Sequence, residues 1–167
     1  EALGASFTDF GGWEMPVRYS SDLAEHHAVR EAAGLFDISH MGEIFVEGKD
    51  AASYLDFALV GAASEIAIGR AKYSLICNEV GGIIDDLIVY RLGQNAFLVV
   101  ANASNREAVV SAMEGRAKDL EVEVRDESDL WVLLAIQGPK SVEILSEITA
   151  SMLEDLKYYA ISEAELA

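Results

Sequence analysis

Two adjacent carboxylates, Asp85 and Asp86, interrupt an apolar run that reads Ile83, Ile84, Asp85, Asp86, Leu87, Ile88, Val89, Tyr90. Side chains alternate between the two faces of a strand. Asp86 therefore shares one face with Ile84, Ile88 and Tyr90, and Asp85 shares the other with Ile83, Leu87 and Val89. Both faces are apolar, so at least one carboxylate is expected in a poorly solvated place. A charge there is costly unless it is paired or hydrogen-bonded. Such a carboxylate either accepts backbone N–H bonds beside a tight turn or handles charge at a functional site. The residues alone leave both readings open for Asp85 and for Asp86.

The other reactive side chains point to less. His26 and His27 are adjacent, so on a helix they diverge by about 100° and do not share a metal as an i, i+4 pair would. His40 stands in a turn-like segment, Asp37-Ile38-Ser39-His40-Met41-Gly42, and reads as a hydrogen-bonded loop histidine. Cys77 follows Leu75 and Ile76 and reads as an inert buried thiol. Gly81-Gly82 lacks the strand–loop–helix setting and the Lys-Ser/Thr ending of a phosphate loop. Gly11-Gly12-Trp13-Glu14-Met15-Pro16 reads as a loop whose aromatic packs. No metal site and no Ser-His-Asp arrangement is expected.

The carboxylate pair needs a sheet to hold it, and the surrounding pattern supplies one. Residues 72–77, 83–91 and 96–101 are apolar runs separated by short Gly-containing turns, which predicts an antiparallel meander. A helix is expected over 21–33, with Ser20 or Ser21 as N-cap and Gly34 just past its end. A short strand over 44–47 and a helix over 50–59 follow, the helix presenting Tyr54, Leu55, Ala58 and Leu59 on one side. Ser104 and Glu107 have capping-box spacing ahead of a helix over 105–116. Further strands are expected over 121–125, 130–136 and 156–161. Gly138-Pro139 should open a helix running to about residue 148. Strands bunched between helices indicate an α+β fold, antiparallel meander sheets with packed helices.

Composition narrows the function. Of 167 residues 12 are Lys or Arg and 29 Asp or Glu, a net charge of −17. That excludes binding to a nucleic-acid backbone and docking on an anionic membrane, both of which need a basic surface. No stretch approaches 18 apolar residues, and no basic segment precedes an apolar run as in a signal peptide. One cysteine rules out an internal disulfide and fits a reducing compartment. Hydrophobic residues make up 51% before the 13 glycines are added, above a usual share of about 45–50% that includes glycine. That excess implies apolar surface that meets something outside the chain. The sequence starts at Glu1 and stops at Ala167 directly after patterned segments, so a piece of a longer polypeptide is expected. It holds no linker, low-complexity tract or internal repeat.

Taken in order, these segments resemble one family. The blocks are Phe10-Gly11-Gly12-Trp13-Glu14-Met15-Pro16, Ala33-Gly34-Leu35-Phe36-Asp37-Ile38-Ser39-His40-Met41-Gly42, Tyr73-Ser74 with Cys77-Asn78-Glu79, Gly81-Gly82-Ile83-Ile84-Asp85-Asp86-Leu87-Ile88-Val89-Tyr90, Asn102-Ala103-Ser104-Asn105 and Gln137-Gly138-Pro139. They resemble the amino-terminal part of the aminomethyltransferase family, the T-protein of the glycine cleavage system, almost from end to end.

The resemblance implies a tetrahydrofolate-dependent aminomethyltransferase. The methylene carbon would pass from an aminomethyl group on the lipoyl arm of H-protein to tetrahydrofolate, with release of ammonia. It implies Asp86 as the essential carboxylate beside the reacting folate nitrogens, and Met41, Tyr73, Tyr90, Asn102 and Tyr158 as folate contacts. A tyrosine ring can lie along a flat pterin, and an Asn offers it both a donor and an acceptor. It also implies a bacterial cytoplasmic protein holding part of the folate-binding fold. Parts of two domains would be present, with a boundary near 45–50, and the carboxy-terminal domain would be lacking. Family members are about twice as long, and the family's Glu and Arg folate contacts fall beyond Ala167. The chain by itself is thus expected to be incomplete and inactive, with self-association through the surface left bare. Where the family has a Thr-Asn-Asp run, this chain reads Leu59-Val60-Gly61-Ala62-Ala63, and no role is carried onto it. The alternatives are a related folate-dependent demethylase or oxidase-linked folate domain, a non-catalytic folate-binding protein of iron–sulfur maintenance, and a folded remnant without activity.

Overall fold

The computed structural model describes residues 2–167. In chain order its elements are β1 (Ser6–Phe10), β2 (Trp13–Arg18), α1 (Asp22–Glu31), β3 (Gly34–Asp37), β4 (Gly42–Glu47), α2 (Ala51–Ala58) and β5 (Arg70–Cys77). They continue with β6 (Ile83–Arg91), β7 (Ala96–Ala101), α3 (Arg106–Arg116), β8 (Glu123–Asp126), β9 (Leu134–Gln137) and α4 (Ser141–Ser146). They divide into two units. One holds the residues up to Ile38, Leu133–Asp155 and Glu163–Ala167. The other holds Ser39–Val132 and Leu156–Ser162. The chain leaves the first unit at Ile38, whereas residues 45–50 lie inside the second, where β4 is bonded on both sides.

In the first unit β1 and β2 form an antiparallel hairpin. Its turn is Gly11-Gly12, both with positive φ (62° and 91°), the backbone that a tight two-residue hairpin requires. The segment Trp13–Pro16, read from sequence as loop, is thus strand. The β-pattern there is hidden because every residue of both strands is wholly or partly exposed. Ser21 caps α1 by accepting from the Ala24 N–H. β3 pairs antiparallel with β9 from Gly34↔Gln137 to Asp37↔Leu134. The strand expected over 130–136 starts only at Leu134, because Ser128–Leu130 winds into a 3₁₀ turn first.

The second unit is built on the expected meander. Its sheet runs β5-β6-β7-β4-β8, with every neighbouring pair antiparallel. Helices α2 and α3 cover one face. Ile44, Val46, Ile76, Leu87, Val89, Phe97 and Val99 from the strands meet Tyr54, Leu55, Val109 and Met113 from the helices. The Tyr54 hydroxyl donates to the Met113 carbonyl at 2.7 Å, so the one phenol in this core has its partner. Arg116 reaches from the end of α3 to donate to the carbonyls of Ala58 and Cys77, tying the ends of α2 and β5 together.

Two expectations fail here. The capping box does not form, since α3 takes Asn105 as N-cap without a side-chain bond, after a 3₁₀ turn over Ala103–Asn105. Residues 156–161 are not a strand. They make one bridge, Ala160 to Arg70, flanked by bonds from Ala71 N–H to the Tyr159 carbonyl (2.8 Å) and from Ile161 N–H to the Gly69 carbonyl (2.9 Å). Tyr159 has φ of 56°, and one left-handed residue ends extended pairing.

Candidate functional site

The face of the sheet opposite α2 and α3 carries Asp86 and most of the candidate residues. On β6 it presents Ile84, Asp86, Ile88 and Tyr90, because Leu87 and Val89 point into the helix-covered core. Tyr73 stands across from Ile88 on β5, and its hydroxyl reaches diagonally to donate to Asp86 Oδ2 at 3.1 Å. Asn102 follows the last residue of β7 and donates from Nδ2 to Asp86 Oδ1 at 3.1 Å and to the Asp86 carbonyl at 2.9 Å. Asp86, Tyr73 and Asn102 are thus one hydrogen-bonded group.

Register places a fourth residue near them. Ala101 pairs with Leu87 on one side and with Gly42 on the other. Met41, just ahead of Gly42, is therefore at the same end of the sheet as Asn102 and Asp86. Tyr90 is on the same face two alternations along β6, half-buried, and burial pushes its phenol above the ordinary tyrosine range. Tyr158 is the outlier. It is 84% exposed, and its ring packs edge-on against Tyr159 at 4.5 Å rather than against the carboxylate.

The two carboxylates differ more than their adjacency suggests. Asp85 is 2% exposed, on the core side of β6. It accepts from Asn102 N–H (2.8 Å), Asn102 Nδ2 (3.0 Å) and Asn105 Nδ2 (2.6 Å). Asp86 is exposed. The poorly solvated carboxylate is therefore Asp85, and Asp86 does not sit in a low-dielectric slot between Ile84 and Ile88 within this chain. The sheet face around it is open. Asp86 acts on its neighbour instead, since by accepting a hydrogen bond from the Tyr73 hydroxyl it holds that phenol above its ordinary range.

Sequence reasoning missed two residues of this region. Asn105 was read as the start of a helix and the last residue of a motif block, with no role of its own, although the spacing Asn102-x-x-Asn105 puts both side chains on one side of a 3₁₀ turn. Glu43 on β4 was not singled out at all. It is 3% exposed, and among the described residues neither of its carboxylate oxygens has a hydrogen-bond partner. Further across the same face, Arg125 binds Glu47, Glu123 and Glu127, and the Phe45 and Trp131 rings stack at 5.4 Å.

Glu43 gives a pH prediction. Burial outweighs the attraction of Arg106 and pushes its carboxyl above the ordinary glutamate range. A carboxyl raised in the folded state takes up protons on folding, so its contribution to stability is fully present below the unfolded value and is lost as pH rises through the folded one. Glu43→Gln removes the buried charge. The variant should melt a few degrees above the parent at pH 7, and the gap should close on acidification through the ordinary glutamate range. A gap that is absent at pH 7, or that widens in acid, contradicts this account of Glu43.

Comparison with known proteins shows the family. The GCVT N-terminal domain family matches residues 1–167. The aminomethyltransferase of Saccharopolyspora erythraea is 54% identical over 167 residues, covering 100% of this chain and 46% of the relative. The structure of the glycine cleavage system aminomethyltransferase T from Bartonella henselae superposes with a TM-score of 0.90 at 41% identity, over 95% of this chain and 44% of that one. A heterotetrameric sarcosine oxidase from Corynebacterium sp. U-96 shares the fold at a TM-score of 0.52 and 17% identity, over 81% of this chain and 70% of that one. The chain spans less than half the length of the curated aminomethyltransferases it matches. An α+β fold, and a family match running from its first residue to its last, leave one conclusion: the chain belongs to the glycine cleavage T-protein family, as its amino-terminal domain.

Proposed function

We propose that this chain supplies the Asp86 side of the tetrahydrofolate site in an aminomethyltransferase of the glycine cleavage system. The observation that carries the reading is the hydrogen-bonded group of Asp86, Tyr73 and Asn102 on an open sheet face. Folate is the substrate that accepts the carbon. Tyr73, 53% exposed, and the half-buried Tyr90 offer flat surface to a pterin ring, with Met41 at the same end of the sheet and Tyr158 exposed beside Tyr159.

The overall reaction balances without an oxidant. The lipoyl arm of H-protein brings a sulfur-bound CH₂NH₂ group. The C–S bond breaks to give a thiol, and the C–N bond breaks to release ammonia. Two new C–N bonds form from that carbon to the two folate nitrogens, whose protons leave with the thiol and the ammonia. Nitrogen becomes positively charged when it attacks carbon. A carboxylate beside it stabilises that charge, more strongly once water is excluded. Asp86 is exposed in this chain, so the exclusion of water falls to whatever covers the face in the assembled enzyme.

The setting that goes with this reading is the bacterial cytoplasm. The test is to express the complete product of the reading frame that contains this chain and to supply aminomethyl-lipoyl H-protein with tetrahydrofolate. Methylene-tetrahydrofolate and ammonia should appear in equal amounts. Carbon transfer from a methylated amine instead, with none from H-protein, would replace this reading with the demethylase one.

A further inference from the structure

Asp85 is buried, makes no ion pair among the described residues and does not face the open side of the sheet, yet two of its three hydrogen bonds come from Asn102, which also donates to Asp86. We propose that Asp85 is a positioning residue. It locks the Asn102 side-chain amide in one orientation, and through that amide it holds the Asp86 carboxylate. The inference rests on the reading of Asp86 as the working carboxylate.

The argument is one of donors and acceptors. An Asn side chain has two ends of nearly the same shape, an oxygen that accepts and an NH₂ that donates twice. Asn102 Nδ2 lies 3.0 Å from Asp85 Oδ1, 2.9 Å from the Asp86 carbonyl and 3.1 Å from Asp86 Oδ1. All three are acceptors, and two belong to carboxylates. If the amide turned over, its oxygen would meet all three, and repulsion would replace attraction. Asp85 has no such freedom itself. Its Oδ2 is engaged by the Asn102 backbone N–H and its Oδ1 also by Asn105 Nδ2.

The 3₁₀ turn is what makes this possible, since residues three apart eclipse in it. Asn102 and Asn105 therefore face Asp85 together, with Asn105 N–H closing the turn onto the Asn102 carbonyl at 3.0 Å. The turn takes in Ser104, so α3 starts with Asn105 as its N-cap and the box expected at Ser104 does not form, while the Asn105 side chain turns to Asp85.

The test separates holding the fold together from pointing Asn102. In D85N an amide nitrogen faces at least one N–H donor, and the melting temperature should fall. In D85N/N105D the amide and the carboxylate exchange places, so the link between positions 85 and 105 is restored with the same total charge. Asn102 Nδ2, however, now meets a donor at position 85 and keeps only its two Asp86 acceptors, so its amide should be held more loosely.

The complete reading-frame product is measured for melting temperature, for solvent exchange of the Asn102 side-chain amide by NMR, and for aminomethyl transfer. The double variant should recover most of the melting temperature lost in D85N. It should exchange the Asn102 protons at least tenfold faster than the parent and lose at least tenfold in transfer. A double variant that refolds with parental transfer overturns the proposal. So does rapid exchange of the Asn102 amide in the unsubstituted protein, a measurement that stands even if the variants do not fold. An Asp86→Ala protein that still transfers would instead overturn the reading of Asp86, and exchange alone would then judge the hold of Asp85 on Asn102.

Discussion

Replacing Asp86 with alanine should lower aminomethyl transfer by about 10²–10³-fold, the range seen when one preorganised electrostatic group is removed from a reacting centre. On the proposed reading the loss should appear in kcat, because the charge that Asp86 would meet develops only as the folate nitrogen attacks. The fold should not notice. Asp86 is exposed, lies on the face away from the helices, and its carboxylate is bonded, among the described residues, to Tyr73 and Asn102. Surface substitutions of this kind stay within about 0.5 kcal/mol, so the melting temperature should move by no more than about 2 °C. A second signal comes from Tyr73, whose phenol is held high by its bond to Asp86. In the variant it should titrate closer to an ordinary tyrosine. Full transfer by a folded Asp86→Ala protein would remove Asp86 from the chemistry. Lost transfer together with a collapsed melting temperature would mean that Asp86 serves structure.

Exchanging the expected roles of the two carboxylates would give the opposite result at each position, and the reason lies in what the sequence can hold. Alternation along residues 83–90 assigns Asp85 and Asp86 to opposite faces correctly. It cannot say which face the helices cover, because Ile, Leu and Val occur on both. That choice is made by Tyr54, Leu55, Val109 and Met113, which lie far away in sequence and meet Leu87 and Val89 only in the fold. The three meander strands were legible because each is short, apolar and bounded by a glycine turn. Their expected bounds match β6 and β7 end to end. The hairpin Ser6–Arg18 was not, since strands exposed along their whole length carry no burial pattern to read. Ser104 and Glu107 had the right spacing for a cap, but a local motif cannot anticipate that Asn102 and Asn105 both bond a carboxylate far off in sequence, with Ser104 taken into the 3₁₀ turn between them. The apolar excess in the composition has a visible counterpart, with Tyr73 and Tyr158 at 53% and 84% exposure on or beside the open face.

Gly48→Ala should be the most damaging single-methyl change in the second unit, at roughly 3–5 kcal/mol, taking positive-φ strain of about 1–3 kcal/mol together with a similar overpacking cost. Gly48 joins β4 to α2 with φ of 139°, a region open essentially only to glycine. A Cβ there would stand 2.2 Å from the Glu121 carbonyl oxygen and 2.8 Å from Val122 Cα. Those are backbone atoms, and they cannot swing aside as a flexible side chain would. The Glu121 carbonyl also accepts the Asp50 N–H at 3.3 Å, while the Asp50 carboxylate accepts the Glu121 N–H at 2.9 Å. Pushing the two segments apart breaks that exchange and strains β4 against β8, whose pairing ends at Glu47↔Glu123. For a chain of this size the melting temperature should drop by about 10 °C or more. Lys49→Ala is the matched control one residue along. It removes an exposed pair with Glu121, 60% and 69% accessible on its two side chains, and exposed pairs contribute about 0–1 kcal/mol. If both variants melt within about 2 °C of the parent, the close approach at Gly48 does not constrain the turn. If Lys49→Ala falls as far as Gly48→Ala, the ion pair rather than the missing Cβ holds β4 to the segment before β8.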